Sequence, residues 1–429
     1  MTTPLRLGIA GLGTVGAGVV QIVQTHADLL AKRTGRDIAI TAVSARSRKA
    51  DRGVDLSAYA WEDDPVTLAR RDDVDVFVEL MGGADGPAKA ATDAALAAGK
   101  HVVTANKAML ALHGQALAEA AEASGVALRF EAAVAGGIPV VKALIEGLAA
   151  NAITRVSGVM NGTCNYILTR MESAGLPYDD VFEEARALGF LEADPNLDVG
   201  GIDAAHKLTI LSAIAFGHRV DFDGVALQGI GRVSIDDIHR ARDMGYRIKL
   251  LGEARRTADG GVEQSMRPTL VRADSPLGQL EGGMNMVVLE GDAVGQIVLR
   301  GAGAGMGPTA SAVMADLCDI ARGLVLPPFG QPAAALALPS RAKTATPRAH
   351  YLRMMLRDEP GALAQVATAL GRSGISIDRM RQYDHEGGEA PVLIVTHPCA
   401  PGDLAEALQA ALATGVVAGE PVALQIEAA

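Results

Sequence analysis

Cysteine is nearly absent from this chain. Among 429 residues there are 3, Cys164, Cys318 and Cys399, far apart and without a C-x-x-C pair, so neither a disulfide framework nor a thiolate metal site is indicated. Basic charge is also short: 39 Lys and Arg stand against 50 Asp and Glu, a net charge of −11. That sign excludes a chain whose main task is to coat phosphate backbones, and nucleic acid is not an expected partner. Long apolar runs are missing as well. No stretch approaches the roughly 18 uncharged apolar residues of a membrane span, and the first residues enter a strand-and-glycine pattern instead of a secretory leader with a cleavage site. The expectation is a cytoplasmic protein with no membrane partner. Low-complexity sequence is lacking too: the 49 Gly and 19 Pro follow no period, and 49% hydrophobic with 21% charged residues is an ordinary globular balance. At about 150 residues per domain, the length suggests roughly three domains.

What is present falls into blocks of α/β character. Over 1–150, short apolar runs (Leu5–Ala10, Ile38–Ser44, Val74–Leu80, His101–Thr104, Val126–Phe130) alternate with helical stretches at Val15–Leu30, Pro87–Ala98 and Lys107–Ser124. This is the pattern of a parallel sheet with crossover helices, a Rossmann-type domain. Residues 151–326 mix strand-like runs (Val156–Met160, Met286–Leu289, Gln296–Leu299) with helices at Tyr178–Leu188 and Ala204–Phe216, an α+β domain. Its last helix, about 309–324, is a candidate to pack back on the first domain. Residues 327–348, rich in proline and small residues, read as a linker. Residues 349–429 spell β-α-β-β-α-β, the order of a ferredoxin-like module.

Two glycine loops carry chemistry. In "LRLGIAGLGTVGAGVV", Gly11, Gly13 and Gly16 make a G-x-G-x-x-G immediately after a strand and at the mouth of a helix. Such glycines allow a tight turn and close approach of backbone N–H groups to a pyrophosphate at the helix N-terminus. The end of the second strand reads "AVSARSRKADRG", with Arg46, Arg48 and Lys49 where an NAD-preferring fold carries a carboxylate. Cationic groups there suit a 2′-phosphate and favour NADP over NAD, although a solvated loop that happens to be basic, in an enzyme taking either cofactor, satisfies the same pattern. The second loop, "RGAGAGMGPTASAV", runs from Gly301 to Gly307 into a helix with Thr309 available as a cap; either a ligand-approaching loop or a flexible turn satisfies that pattern.

The segment "ARALGFLEADPNLDVGGIDAAHKLTI" crowds Glu192, Asp194, Asp198 and Asp203 around glycines, then places Lys207 four residues after Asp203. Residues i and i+4 share a helical face, so this pair is either a solvated surface ion pair or two members of one site. An aldehyde being reduced needs a proton donor, which a lysine can supply, and a substrate ammonium group needs carboxylates to hold it. Lys107 follows the strand in "HVVTANKAML", at the edge where open α/β sheets place ligands. Its alternative is a surface lysine in the first turn of a helix.

Together GLGTVG, VVTANKA, FEAAVAGGIP, LGFLEADPNLDVGGIDAAHK and GAGAGMGPT resemble, in order and over essentially the whole chain, the bacterial homoserine dehydrogenases that end in an ACT domain. The one departure noticed is Gly200, where an acidic or polar residue is common. The resemblance implies interconversion of L-homoserine and L-aspartate 4-semialdehyde with NAD(P)(H), on the route to threonine, methionine and isoleucine. It implies Lys207 and Lys107 as catalytic residues, and Glu192 and Asp203, supported by Asp198, as substrate ligands. Gly11, Gly13, Thr14, Val15, Gly16, Thr104, Lys107, Gly189 and Gly307 fall on cofactor-contacting positions, and Arg46 joins them from the basic loop. Glu131, Val134, Gly136 and Ile138 match a monovalent-cation site, for sodium, built largely from backbone carbonyls. The resemblance further implies a homodimer or homotetramer and a tail that binds threonine as feedback inhibitor.

A dehydrogenase of aspartate semialdehyde would need an activated cysteine nucleophile, and none of the three cysteines has the flanking residues for it. A non-catalytic nucleotide sensor gives no reason for two lysines beside the carboxylates.

Overall fold

The structure, a computed structural model, describes residues 3–191, 194–343, 345–383 and 388–427. The first block comprises β1 (Leu5–Ala10), α1 (Thr14–Thr34), β2 (Ile38–Ser44), β3 (Ala60–Trp61), α2 (Pro65–Arg70), β4 (Val76–Glu79), α3 (Pro87–Ala97), β5 (His101–Thr104), α4 (Lys107–Ala123) and β6 (Leu128–Arg129). Its six strands are parallel in the order β3-β2-β1-β4-β5-β6. The strand order reverses between β1 and β4, and ligands bind in the crevice that opens at such a switch point. The strands read as continuous apolar runs because helices cover both faces.

The middle block holds α5 (Val140–Lys142), β7 (Ile153–Val159), α6 (Gly162–Ala174), α7 (Tyr178–Ala187), α8 (Asn196–Val199), α9 (Ile202–Phe216), β8 (Val225–Leu227), α10 (Ile235–Asp243), β9 (Tyr246–Arg256), β10 (Val262–Arg272), β11 (Met284–Gly291), β12 (Gly295–Ala302) and α11 (Met306–Ala321). α9 is apolar nearly all round and buried along most of its length, as befits a central helix. α11 leaves the middle sheet and packs against α1. A Cβ on Gly18 would lie 2.8 Å from Met306 Cγ and 3.0 Å from Ala310 Cβ, so glycine sets how closely the two helices approach. α11 begins at Met306 with Gly305 as its N-cap, earlier than the sequence suggests. Thr309 is therefore a buried residue inside the helix and not its cap, the glycine loop having enough freedom (Gly305 φ 113°) to start the turn sooner.

The tail is β13 (His350–Arg357), α12 (Ala362–Arg372), β14 (Ile377–Gln382), β15 (Glu389–Thr396), α13 (Pro401–Ala413) and β16 (Val417–Ile426). Its antiparallel order β16-β13-β15-β14 is the ferredoxin-like arrangement. β16 also pairs in parallel with β10, through Thr269 with Gln425 and Leu270 with Ile426, so the middle and tail strands form one sheet. Residues 327–343 and 345–348 run as a strap along the body. Phe329 is fully buried against Phe130, and the backbone N–H groups of Arg219 and Val262 donate to the carbonyls of Ala337 and Ser340. Among the described residues no helix is long and apolar enough to cross a membrane.

Candidate active site

The glycine turn is built by steric necessity. Gly11 sits at φ +98°, where a Cβ would come to 2.3 Å from Leu80 O, and a Cβ on Gly16 would come to 2.0 Å from Gly11 O. Gly13, the N-cap of α1, meets nothing within 4 Å and offers no side-chain cap. The first amides of α1 therefore face open space, as an incoming phosphate requires. A cleft of about 910 Å³ opens there, lined by Gly11, Gly13, Thr14, Arg46, Gly82 and Met306 among others. Arg48 and Arg52 both lie over the Trp61 ring, 5.7 Å from its centroid, and Arg52 also donates to the carbonyls of Leu12 and Ala50. That leaves Arg46 as the basic residue of this turn that lines the cleft and makes no hydrogen bond or ion pair among the described residues. Val15 is half-buried in the first turn of α1.

The cleft floor is locked by Glu79, fully buried at the end of β4. Its carboxylate accepts from the backbone N–H of Met81 (2.7 Å) and Gly82 (3.2 Å) and from the Thr104 hydroxyl (2.6 Å). The Thr104 hydroxyl in turn accepts from Asn106 N–H at 2.9 Å, so this side chain serves the loop and leaves only its backbone for a ligand. Asn106 caps α4 through Met109 N–H. These bonds fix the start of the helix that carries Lys107.

Lys107 and Lys207 meet on one carboxylate. Lys107 Nζ lies 2.8 Å from Asp203 Oδ1, and Lys207 Nζ donates to Asp203 Oδ2 at 2.7 Å and to Met160 O at 2.8 Å. Lys207 is 8% exposed and Asp203 6%, whereas the Lys107 side chain keeps 31% of its surface. The solvated-surface alternative for this pair is thus excluded. Burial pushes the Asp203 carboxyl up, but Lys207 and Lys107 together outweigh it and hold the group well below the usual carboxylate range. Asp198 is drawn in by Asn161, whose amide donates to Asp198 Oδ1 (2.9 Å) and Asp203 Oδ2 (3.2 Å) while its oxygen caps α6 at Cys164 N–H. Asn285 donates to Met160 O at 3.1 Å.

Asn161, the Met160 carbonyl, Asn285 and Glu79 escaped the sequence reading. For Asn161 a signal exists, an Asn just ahead of a helical run. Glu192 lies outside the described residues. Gly189 is exposed on the turn after α7, and Gly307 is exposed in the first turn of α11; neither lines the cleft. Gly200 suits its place, because a Cβ would come to 2.5 Å from Asn196 O.

Glu131, Val134, Gly136 and Ile138 lie in one buried bend, turned by two successive left-handed residues, Ala135 and Gly136, each at φ 57°. The carbonyls of Glu131 and Ile138 accept from Val134 and Val140 N–H, whereas those of Val134 and Gly136 accept no hydrogen bond among the described residues. Two buried, unanswered carbonyl oxygens fit a hard monovalent cation. The Glu131 carboxylate is taken up by the N–H groups of Val141 and Lys142; burial and then Asp316 push it up to about 7.

A dinucleotide cleft on a parallel sheet, with a buried lysine-carboxylate cluster beside the next strand, defines an NAD(P)-dependent oxidoreductase acting on a CH–OH group. Comparison with known proteins narrows this. Residues 139–318 match the homoserine dehydrogenase catalytic family, residues 11–131 its NAD-binding domain and residues 350–415 the ACT domain. A homoserine dehydrogenase of Pseudomonas aeruginosa is 43% identical over 99% of both chains, and that of Bacillus subtilis 37% over 94% of both. The crystal structure of the Thiobacillus denitrificans homoserine dehydrogenase superposes with TM-score 0.93 at 40% identity, covering 99% of this chain and 98% of that one. An archaeal homoserine dehydrogenase in complex with NADPH superposes at TM-score 0.65 with 25% identity, over 75% of this chain and 99% of that one. The chain belongs to the homoserine dehydrogenase family, and its tail is an ACT domain.

Proposed function

We propose that the chain interconverts L-homoserine and L-aspartate 4-semialdehyde at the junction where Asp203 bridges Lys107 and Lys207, and this bridge is the observation that carries the reading. The cleft at Gly11, Gly13 and Thr14 would hold the dinucleotide, which when bound would supply hydride exchange at C4 of the substrate. Lys207 moves the proton at the substrate oxygen: Asp203 and Met160 O occupy two of its three N–H directions, leaving one for the reacting group. Lys107, tied to the other oxygen of Asp203, aligns the substrate from the cofactor side. Asp203, Asp198 and Glu192 supply the negative charge that holds the α-ammonium group. Residues 1–150 bind the cofactor and 151–326 the substrate and a partner subunit, in a homodimer or homotetramer; the strap at 327–348 joins them to a regulatory tail at 349–429.

Arg46 favours NADP, in line with the NADPH named for the archaeal relative, and the open carbonyls of Val134 and Gly136 suit a monovalent cation, for which the family resemblance suggests sodium. The ACT tail takes an amino-acid effector. Threonine, an end product of the pathway this reaction feeds, is the proposed inhibitor, and the proposed location is the cytoplasm.

Homoserine-dependent reduction of NADP at alkaline pH, followed by absorbance, tests the reading; no signal with either cofactor would sink it. Lys207→Ala is expected to lower kcat by about 10²–10⁴-fold with NADP affinity retained. A near-normal rate would remove Lys207 from the mechanism. Failure of threonine to inhibit the intact chain would end the regulatory part alone.

A further inference from the structure

The lysine cluster leaves a second polar cavity unexplained. About 310 Å³ in volume, it lies where β9 and β10 meet the strap and the tail, and Arg255, Arg267, Arg341, Arg348, Glu253 and Glu263 stand in its wall. Four guanidinium groups thus face two carboxylates, in a chain whose overall charge is strongly negative. Both carboxylates are already engaged. Glu253 accepts from Arg348 (2.5 Å) and Arg155 (3.1 Å) and is ion-paired with Arg255 (3.3 Å), and Glu263 accepts from the N–H and hydroxyl of Thr346 at 2.6 and 2.7 Å.

Two atoms of the same wall are left over. Arg267 Nε and Gln264 Oε1 are buried and have no hydrogen-bond partner among the described residues, and Arg267 forms no ion pair there. Buried polar atoms are normally satisfied, and each orphan carries a desolvation cost until something bonds it. A single water, accepting from Arg267 Nε and donating to Gln264 Oε1, would satisfy both atoms, so what points to an anion is the charge: Arg267 is a partly buried guanidinium with no ion pair among the described residues. Burial lowers the Arg267 guanidinium from its ordinary value, and Glu253 and Glu263 restore only part of it; an anion would complete the compensation.

We propose that this cavity binds a small oxyanion, of the phosphate or dicarboxylate class, with its charge on Arg267 and Arg341. The volume is in the range of small-ligand sites. The walls come from β9, β10, the strap and the tail, so the anion ties regulatory tail to catalytic body. This site stands apart from the lysine cluster and does not rest on how that cluster is read.

Calorimetric titration of the full chain, with NADP saturating to fill the dinucleotide cleft, tests it with three probes: inorganic phosphate, L-malate and succinate. Saturable binding of phosphate or malate is expected, and whichever binds tighter identifies the class. Succinate should bind comparably to malate, and Arg267→Gln and Arg341→Ala should each weaken the preferred probe by about 10-fold or more at unchanged basal rate. Should Arg267→Gln fail to fold, Arg341→Ala at the exposed rim decides. No saturable binding of any of the three probes, or affinity unchanged in the folded variants, overturns the proposal.

Discussion

Asp203 neutralises two ammonium groups, one on each oxygen, with almost no water to share the work. Asp203→Asn keeps the shape and removes the charge, leaving two lysines without their common partner. Breaking a buried ion pair from one side costs up to about 3–5 kcal/mol, less here because Lys107 reaches solvent. We expect Asp203→Asn to lose kcat/KM by at least about 10²-fold, as for a residue serving both position and charge, with a lower Tm, checked by steady-state kinetics and thermal melting. An unchanged kcat/KM would dismiss the shared-carboxylate arrangement. Much at this scale was legible: the Asp203–Lys207 spacing, and Lys107 at a strand end. Asn161 was not, because its partners Asp198 and Asp203 lie 37 and 42 residues away and meet it only after α6, α8 and α9 pack.

Among the elements, the α1–α11 contact makes the sharpest demand on sequence. Gly18→Val would drive its side chain into Met306 and Ala310, and overpacking of this kind costs about 1–3 kcal/mol. Because Met306 lines the cleft, NADPH should bind more weakly in fluorescence titration while homoserine KM at saturating cofactor changes little; equal affinity would show that α11 yields without disturbing the cleft. The strands and helices around the glycine turn were readable because burial on both sides of the sheet leaves continuous apolar runs. β9 and β10 were not. Their buried positions carry Lys249, Glu253, Gln264 and Thr269, of which Lys249 donates to Asn165 on α6, Gln264 to the Asp221 carbonyl, and Glu253 accepts from Arg348 of the strap, so the alternation that marks a strand is broken by polar contacts made only on folding. Short elements such as β3 and α2 give too few residues for any period to register.

At the scale of the whole molecule, inward-lying histidines make the fold sensitive to acid, while buried Glu131 and Asp316, pushed up to about 7 and 6, work the other way. Burial depresses His101, His206 and His218, and brings His350 down to about 4, from an ordinary 6.5. Between those values the unfolded chain takes up protons at these imidazoles that the folded one refuses, so the histidines' contribution to stability is full above pH 6.5 and drains as pH falls towards 4. For His350 this amounts to at most about 3 kcal/mol. His350→Gln is expected to flatten the fall of Tm between pH 7 and 5 relative to the parent chain; parallel curves would mean that His350 is not kept neutral.

The sheet that runs unbroken from β10 into β16 has a mechanical consequence. Arg155 reaches Glu427 at 2.9 Å, and Tyr351 and Arg353 both donate to Asp237 at 2.8 and 2.7 Å, so the join is held by more than its two backbone rungs. A protease that severs the chain between Ser340 and Arg348 should yield two fragments that still travel as one particle in gel filtration. The covalent connection is redundant with the fold, and a perturbation felt by the last strand is passed to its neighbour as lateral shear, without waiting for a hinge to swing.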